Sequence, residues 1–293
     1  MQGRLQGKAA IITGGATGIG EAISHKFAYE GATVLVVGLP SDPVDDVVAA
    51  VTEAGGSAIG FKGDISEEAD AKACVDLAVK SFGKLDVLVN NAGVFLAIAE
   101  TQDYPVEDFD KTLKNNLRSA FLMTRFALPH LQKSRGNIVN AGSEAGFNGE
   151  PNSSPYGGSK GFMHAFTMGV ACEQAQYGVR ANCVCPGPID TAWTHKETGP
   201  MNKEMEQMTV QSVPLGRRGT AEEMANVYAF LASDEASFVT GAMWLADGGV
   251  TPGKGNLGSK AGKEVTVQPR GPITERLRHT RDGLRNKQTH QLV

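Results

Sequence analysis

Short apolar runs alternate with longer amphipathic stretches along most of this chain. Residues 8–13, 33–37, 57–61, 86–89, 137–141, 180–184 and 242–245 each read as a strand. Between them the pattern predicts helices over 21–30, 43–54, 67–82 and 155–177, and a long helical region over 105–134. In the first helix Ala22, Ile23, Phe27 and Ala28 fall on the inner side. The strands are apolar almost throughout, not alternating. That pattern belongs to a parallel sheet covered by helices on both faces. Right-handed crossovers then give a doubly wound α/β fold of seven strands. Ligands of such sheets bind beyond the carboxyl ends of the strands.

Residues that can carry chemistry sit at those ends. After the first strand come Gly14, Gly15, Ala16, Thr17, Gly18, Ile19 and Gly20, leading straight into a helix. Glycines let the backbone approach a diphosphate, and a helix start offers free N–H donors and a positive dipole end. The spacing is Gly-x-x-x-Gly-x-Gly rather than the commoner Gly-x-Gly-x-x-Gly. Asp64, Asn90 to Gly93, Ser143, and Pro186 with Gly187 also follow strand ends. Thirteen residues past Ser143 lies Tyr156, and four further on Lys160. A tyrosine and a lysine so spaced share one helix face. A free phenol titrates near pH ~10, and a nearby cation favours the phenolate. A tyrosine so tuned passes a proton at neutral pH.

Taken in order, Thr13 to Gly20, Asp64 with Ile65, Asn90 to Gly93, Asn116, Ser143, Tyr156-x-x-x-Lys160, Pro186-Gly187 and Asp247 to Gly249 resemble the short-chain dehydrogenase/reductase family. The resemblance covers roughly residues 4–251 and implies a single Rossmann-like dinucleotide-binding and catalytic domain over 1–251. It implies an NAD(P)-dependent oxidoreductase that moves a hydride between the nicotinamide and a secondary alcohol or ketone. Tyr156 would be the acid and base. Lys160 would lower its pKa and hold the nicotinamide ribose. Ser143 would orient the carbonyl, and Asn116 would distort its helix and hold a relay water. The cofactor would lie along Gly14, Thr17, Gly18, Ile19 and Gly20, then Gly38 and Leu39, Asp64 and Ile65, and Asn91, Ala92 and Gly93. It would end at Tyr156, Lys160, Pro186, Gly187, Ile189 and Thr191. Glu144, Phe95 and Trp193 are the candidates for substrate contact. The family usually forms homotetramers through its long helices, here 105–134 and 155–177, and through the edge near the last strand. The alternative is a dinucleotide-binding regulatory or scaffold protein without turnover; epimerisation or dehydration is a third, minor option. The complete Asn116, Ser143, Tyr156 and Lys160 set argues against the scaffold.

Cofactor choice is less sharply written. NAD users of the family carry an aspartate at the end of the second strand; here that position is Gly38. NADP users often carry an arginine one residue later; here it is Leu39. The glycine turn has Ala16 and Thr17 where NADP users have a base. Ser41 and Asp42 follow within reach of the ribose. Without a cation a 2′-phosphate lacks its usual partner, so the balance favours NAD, with dual use open. Residues 190–213 read as the segment over the pocket. Met201, Met205 and Met208 share a helix face there, lining the pocket or packing the segment down.

Composition fits an ordinary soluble, cytoplasmic enzyme: apolar residues are 41% and charged residues 20%, too apolar for a disordered chain. No apolar run reaches the ~20 residues of a membrane span, and no signal-peptide core follows Met1. Cys74, Cys172, Cys183 and Cys185 form no Cys-x-x-Cys pair and no zinc spacing with histidine, so no metal is expected. Cys183 and Cys185 alternate on one strand and should face one side. The end of the chain differs. Residues 252–293 form an extension outside the resemblance, with nine Lys/Arg against three acids, in a protein whose net charge is −4. The lack of aromatics argues against nucleic acid. Contact with an acidic neighbouring subunit, or a disordered appendage, are the readings of this tail.

Overall fold

The structure, a computed structural model, describes residues 3–191 and 203–253. Seven parallel strands form the main sheet: β1 (Ala9–Thr13), β2 (Thr33–Gly38), β3 (Ser57–Lys62), β4 (Val87–Asn90), β5 (Asn137–Ala141), β6 (Arg180–Pro186) and β9 (Met243–Ala246). Their order is β3-β2-β1-β4-β5-β6-β9. The order reverses at β1, which pairs with β2 on one side and β4 on the other. That reversal opens the crevice in which a doubly wound sheet binds ligands.

Helices α1 (Gly18–Tyr29), α2 (Val44–Glu53), α3 (Glu68–Phe82), α4 (Val106–Leu113), α5 (Ser119–Ser134) and α6 (Ser154–Gln174) cover the sheet. Alternate strand residues feed two cores. Ile12, Val36 and Val89 pack under α1 and α2 with Phe27, while Ile11, Leu35, Leu88 and Ile138 pack under α3 and α5 with Met123. The predicted helical region 105–134 divides into α4 and α5. A π-helical turn over Lys114–Arg118 joins them, with Asn116 inside it.

A short strand pair and the helix over 221–232 are absent from the sequence reading, while the helix face read at Met205 and Met208 is present. A two-strand sheet joins β7 (Ile189–Asp190) to β8 (Gly219–Thr220). Helix α7 spans Lys203–Ser212 and α8 spans Ala221–Ala232. Helix α8 packs its buried Tyr228 and Ala225 into the α1 side of the core. Its signal was present: Thr220 and Glu223 form a reciprocal capping box. Arg218 fastens α7 to β7, with Nη1 3.1 Å from the buried Glu206 and 3.4 Å from the half-buried Asp190. No described helix is long and apolar enough to cross a membrane. Trp193, Met201 and the basic tail from residue 254 lie outside the described residues.

Candidate active site

A cavity of about 450 Å³ lies over the carboxyl ends of the strands. Gly14, Thr17, Gly18 and Ile19 line it after β1, Gly38 and Leu39 at the end of β2, and Asp64 and Ile65 after β3. Asn91, Ala92 and Gly93 line it after β4, and Pro186, Gly187, Ile189 and Thr191 after β6. Gly20 is not in the wall; it lies beneath the turn. A Cβ at Gly20 would stand 1.9 Å from the Gly14 carbonyl oxygen, so only glycine lets the helix start come this close. Gly14 adopts φ +60, and a Cβ there would press on Ala92 at 3.1 Å.

Thr13 stitches this turn to the next strand. Its hydroxyl donates to the Val89 carbonyl (3.1 Å) and accepts from the Asn91 and Ala92 N–H groups (2.9 and 3.0 Å). Helix α1 then opens at Thr17 with no side-chain cap. Its first-turn N–H groups are the donors that a diphosphate would use.

At the end of β2 the carboxylate of Asp42, one of the two residues expected near this point, lines the cavity. Asp42 turns back and its Oδ2 accepts the Leu39 N–H at 2.8 Å. A side chain on Gly38 would meet Val44 Cγ2 at 2.8 Å and Asp42 Oδ2 at 3.0 Å. Position 38 therefore has no room, and Asp42 supplies a carboxylate to the cavity wall instead.

The other end of the cavity holds Ser143, Tyr156 and Lys160. Tyr156 enters in the first turn of α6, and Lys160 follows one turn later on the same face. The Lys160 ammonium stands over the Tyr156 ring, 5.5 Å from its centroid, and donates to the Ala141 carbonyl at 3.1 Å. Phe95 packs against the same ring at 4.8 Å between centroids. Ser143 hydrogen-bonds the Tyr156 phenol, and its Oγ accepts the Ala145 N–H at 3.1 Å. Burial pushes the Lys160 ammonium down to about 8.

One expectation for this end needs amending. The Tyr156 phenol is pushed up, not down: burial dominates, Glu144 and Glu150 add to it, and the Ser143 hydrogen bond only partly offsets them. The Lys160 charge lies over the ring face and does not overcome these. Asn116 is buried inside the π-helical turn, in keeping with the expected distortion of its helix, and its side chain is hydrogen-bonded within the fold. Its Oδ1 accepts the Val94 N–H (2.7 Å), and its Nδ2 donates to the Val94 carbonyl and the Ser159 hydroxyl (both 3.0 Å). Its side chain thus braces the loop after β4 against α6. It still lies near Lys160: a Cβ on Gly93 would stand 3.2 Å from Asn116 Oδ1 and 3.8 Å from Lys160 Nζ.

Glu144, Glu150 and Met205 line the cavity as well, whereas Met208 is 65% exposed and faces away. Burial, with Glu150 and Asp247 nearby, pushes the Glu144 carboxyl up to about 7. Lys160 is the only lysine or arginine in the wall among the described residues.

A family model described as enoyl-(acyl carrier protein) reductase matches residues 14–251. An uncharacterized oxidoreductase of Bacillus subtilis is 38% identical over 260 residues, 86% of this chain and 95% of that protein. A 3-oxoacyl-[acyl-carrier-protein] reductase of Thermotoga maritima is 36% identical, covering 84% and 99%. Glucose 1-dehydrogenase 2 of Bacillus subtilis is also 36% identical, covering 84% and 96%. The chain belongs to the short-chain dehydrogenase/reductase family, whose members carry out NAD(P)-dependent oxidoreduction.

The Glu144 shift predicts a pH dependence. Its folded pKa, about 7, lies above the ordinary 4.5. The unfolded chain therefore loses this proton first as pH rises, and stability falls between those two values. Glu144→Gln removes the effect. The melting temperature of the variant relative to wild type should climb from pH 4.5 to pH 7 and level off above. A flat difference across that range would contradict the assigned burial of the carboxyl.

Proposed function

We propose that the protein reduces a ketone, or oxidises the matching secondary alcohol, with Tyr156 as acid and base. The hydrogen bond between Ser143 and the Tyr156 phenol, with the Lys160 ammonium over the ring, carries this reading. A bound nicotinamide supplies or accepts the hydride. Ser143 holds the carbonyl oxygen beside the phenol. The raised phenol keeps its proton at neutral pH and gives it to that oxygen. Lys160 balances the charge left on Tyr156, and Asn116 keeps α6 and the loop after β4 in register. In Tyr156→Phe the ring stays and the proton donor goes. Turnover should fall by roughly 10²–10⁴ with cofactor affinity nearly unchanged. Near-wild-type turnover, on any alcohol or ketone accepted in a panel followed at 340 nm, would rule the mechanism out.

We read the cofactor as NAD. Asp42 places a negative charge where the adenosine ribose would lie, and no cation but the distant Lys160 lines the cavity among the described residues. A 2′-phosphate would meet repulsion without a partner. Asp42→Asn keeps an acceptor for the Leu39 N–H and deletes only the charge. It should shift the ratio of NADP to NAD affinity towards NADP by about tenfold, the order for losing one like charge nearby. An unchanged ratio would show that Asp42 does not face the ribose.

The same charge pattern supports an uncharged substrate. Glu144 and Glu150 stand at the Tyr156 end, and Phe95, Ile98 and Met205 offer apolar wall. For assembly, the exposed Val106, Phe109 and Phe121 on α4 and α5, Met168 on α6, and Trp244 and Leu245 on β9 support a homotetramer. Light scattering should return four chain masses, and the Trp244→Lys, Phe121→Lys double variant a smaller assembly. A monomeric wild type would overturn the tetramer. The domain over 1–251 and the basic extension are read as one catalytic unit with an appended arm.

A further inference from the structure

One shell behind Ser143, the fold gathers three potential metal ligands that sequence spacing keeps apart. His164 comes from α6, and Cys183 and Cys185 from β6. All three are buried. Cys185 Sγ lies 3.3 Å from His164 Nε2 and 3.9 Å from Cys183 Sγ, and all three ligand atoms fall within 4.8 Å of one another. From these we infer that the three side chains form a binding site for a thiophilic divalent cation, zinc above all.

The distances fit such an ion. A point about 2.4 Å from all three atoms exists for a triangle of those sides, against ~2.3 Å for a zinc–thiolate and ~2.0–2.1 Å for a zinc–imidazole bond. Tetrahedral angles at those bond lengths need ligand separations of about 3.6–3.8 Å, so the two Cys185 distances already suit the ion and Cys183 must move about 1 Å towards His164, a movement its side-chain torsion supplies. Gly142 keeps the place open. A Cβ on Gly142 would stand 2.7 Å from Cys183 Sγ, 2.7 Å from His164 Nε2 and 2.9 Å from Cys185 Sγ, so any other residue would put a side chain among the ligands.

The surrounding contacts also suit a metal. His164 hydrogen-bonds the backbone of Ser143, and such a contact orients a ligating imidazole when it is made by the other ring nitrogen. The Ser143 backbone hydrogen-bonds Cys185, and the Gly142 backbone hydrogen-bonds Cys183. Metal-bound thiolates use such partners. Each thiol releases its proton as its sulfur–metal bond forms. Two thiolates and a divalent cation sum to zero charge, so the buried Lys160 nearby meets no added net charge. Two of the three ligands touch Ser143, which ties an ion here to the carbonyl-binding end of the cavity.

Cobalt(II) is the probe, added to the full-length protein held reduced with a phosphine. One equivalent should bind with sulfur-to-cobalt charge-transfer absorption and the strong visible bands of a tetrahedral ion, and zinc should displace it. Cys172→Ser, at an exposed cysteine, should behave as wild type. Cys185→Ala and His164→Gln should each weaken binding at least tenfold, with the charge-transfer band reduced in the cysteine variant. Wild type and Cys172→Ser decide the matter even if the buried variants fold poorly. Wild-type protein that takes up no cobalt or zinc overturns the inference. So does a charge-transfer band that survives in a folded Cys183→Ala, Cys185→Ala double variant.

Discussion

The close approach of α1 to the end of β1 is the constraint on which the rest depends. The Gly20 backbone lies so near the Gly14 carbonyl that a methyl group would not fit between them. That contact aims the first turn of α1 into the crevice where the strand order reverses. Thr13 then fixes the loop after β4 to the same point, through the Asn91 and Ala92 N–H groups. The next link is a buried polar relay. Asn90 donates to Thr124 and to Asn140, and Asn140 donates to Thr167 on α6. Buried amides are costly unless satisfied, so such a chain fixes one arrangement. It runs from the glycine-turn end of the cavity towards the helix that carries Tyr156 and Lys160. The two ends of the cavity are thereby held at a set separation.

Acidic groups outnumber basic ones along this frame among the described residues. Asp42 stands at one end and Glu144 and Glu150 at the other, with Lys160 as the lone basic group in the wall among the described residues. Burial holds Glu144 near neutrality and drives Lys160 down to about 8. Both groups therefore sit where modest changes in their surroundings alter their charge. The phenol of Tyr156 responds to the same field, being raised by burial and by both glutamates.

Much of this was legible in the sequence because buried parallel strands leave nearly unbroken apolar runs. All seven strands of the main sheet fall where such runs stand, and the glycine turn, the loop after β4, Ser143, Tyr156 and Lys160 gather in one cavity. What escaped was set by tertiary contact. The turn that brings the Asp42 carboxylate back onto the Leu39 N–H depends on a chain reversal that the residues Pro40 and Ser41 do not spell out. Helix α8 carries a start signal in its Thr220–Glu223 capping box, but its burial against the α1 side of the core is set by the fold. The strand pair β7–β8 is two residues long in each strand, too short for any periodicity. The direction of the Tyr156 shift could not be read from a Tyr-x-x-x-Lys spacing, since Glu144 and Glu150 reach the phenol from another loop. The grouping of His164 with Cys183 and Cys185 likewise comes from a helix packing on a strand.

The central claim is that one cleft holds a dinucleotide along its whole length and delivers the nicotinamide to Tyr156. A crystal structure of the full-length protein with NAD⁺ tests it most directly. The account predicts the diphosphate over Gly14 to Gly20, the adenosine ribose beside Asp42, and the nicotinamide ring within contact of the Tyr156 hydroxyl. A cofactor bound with its nicotinamide away from Tyr156 and Ser143 would contradict it.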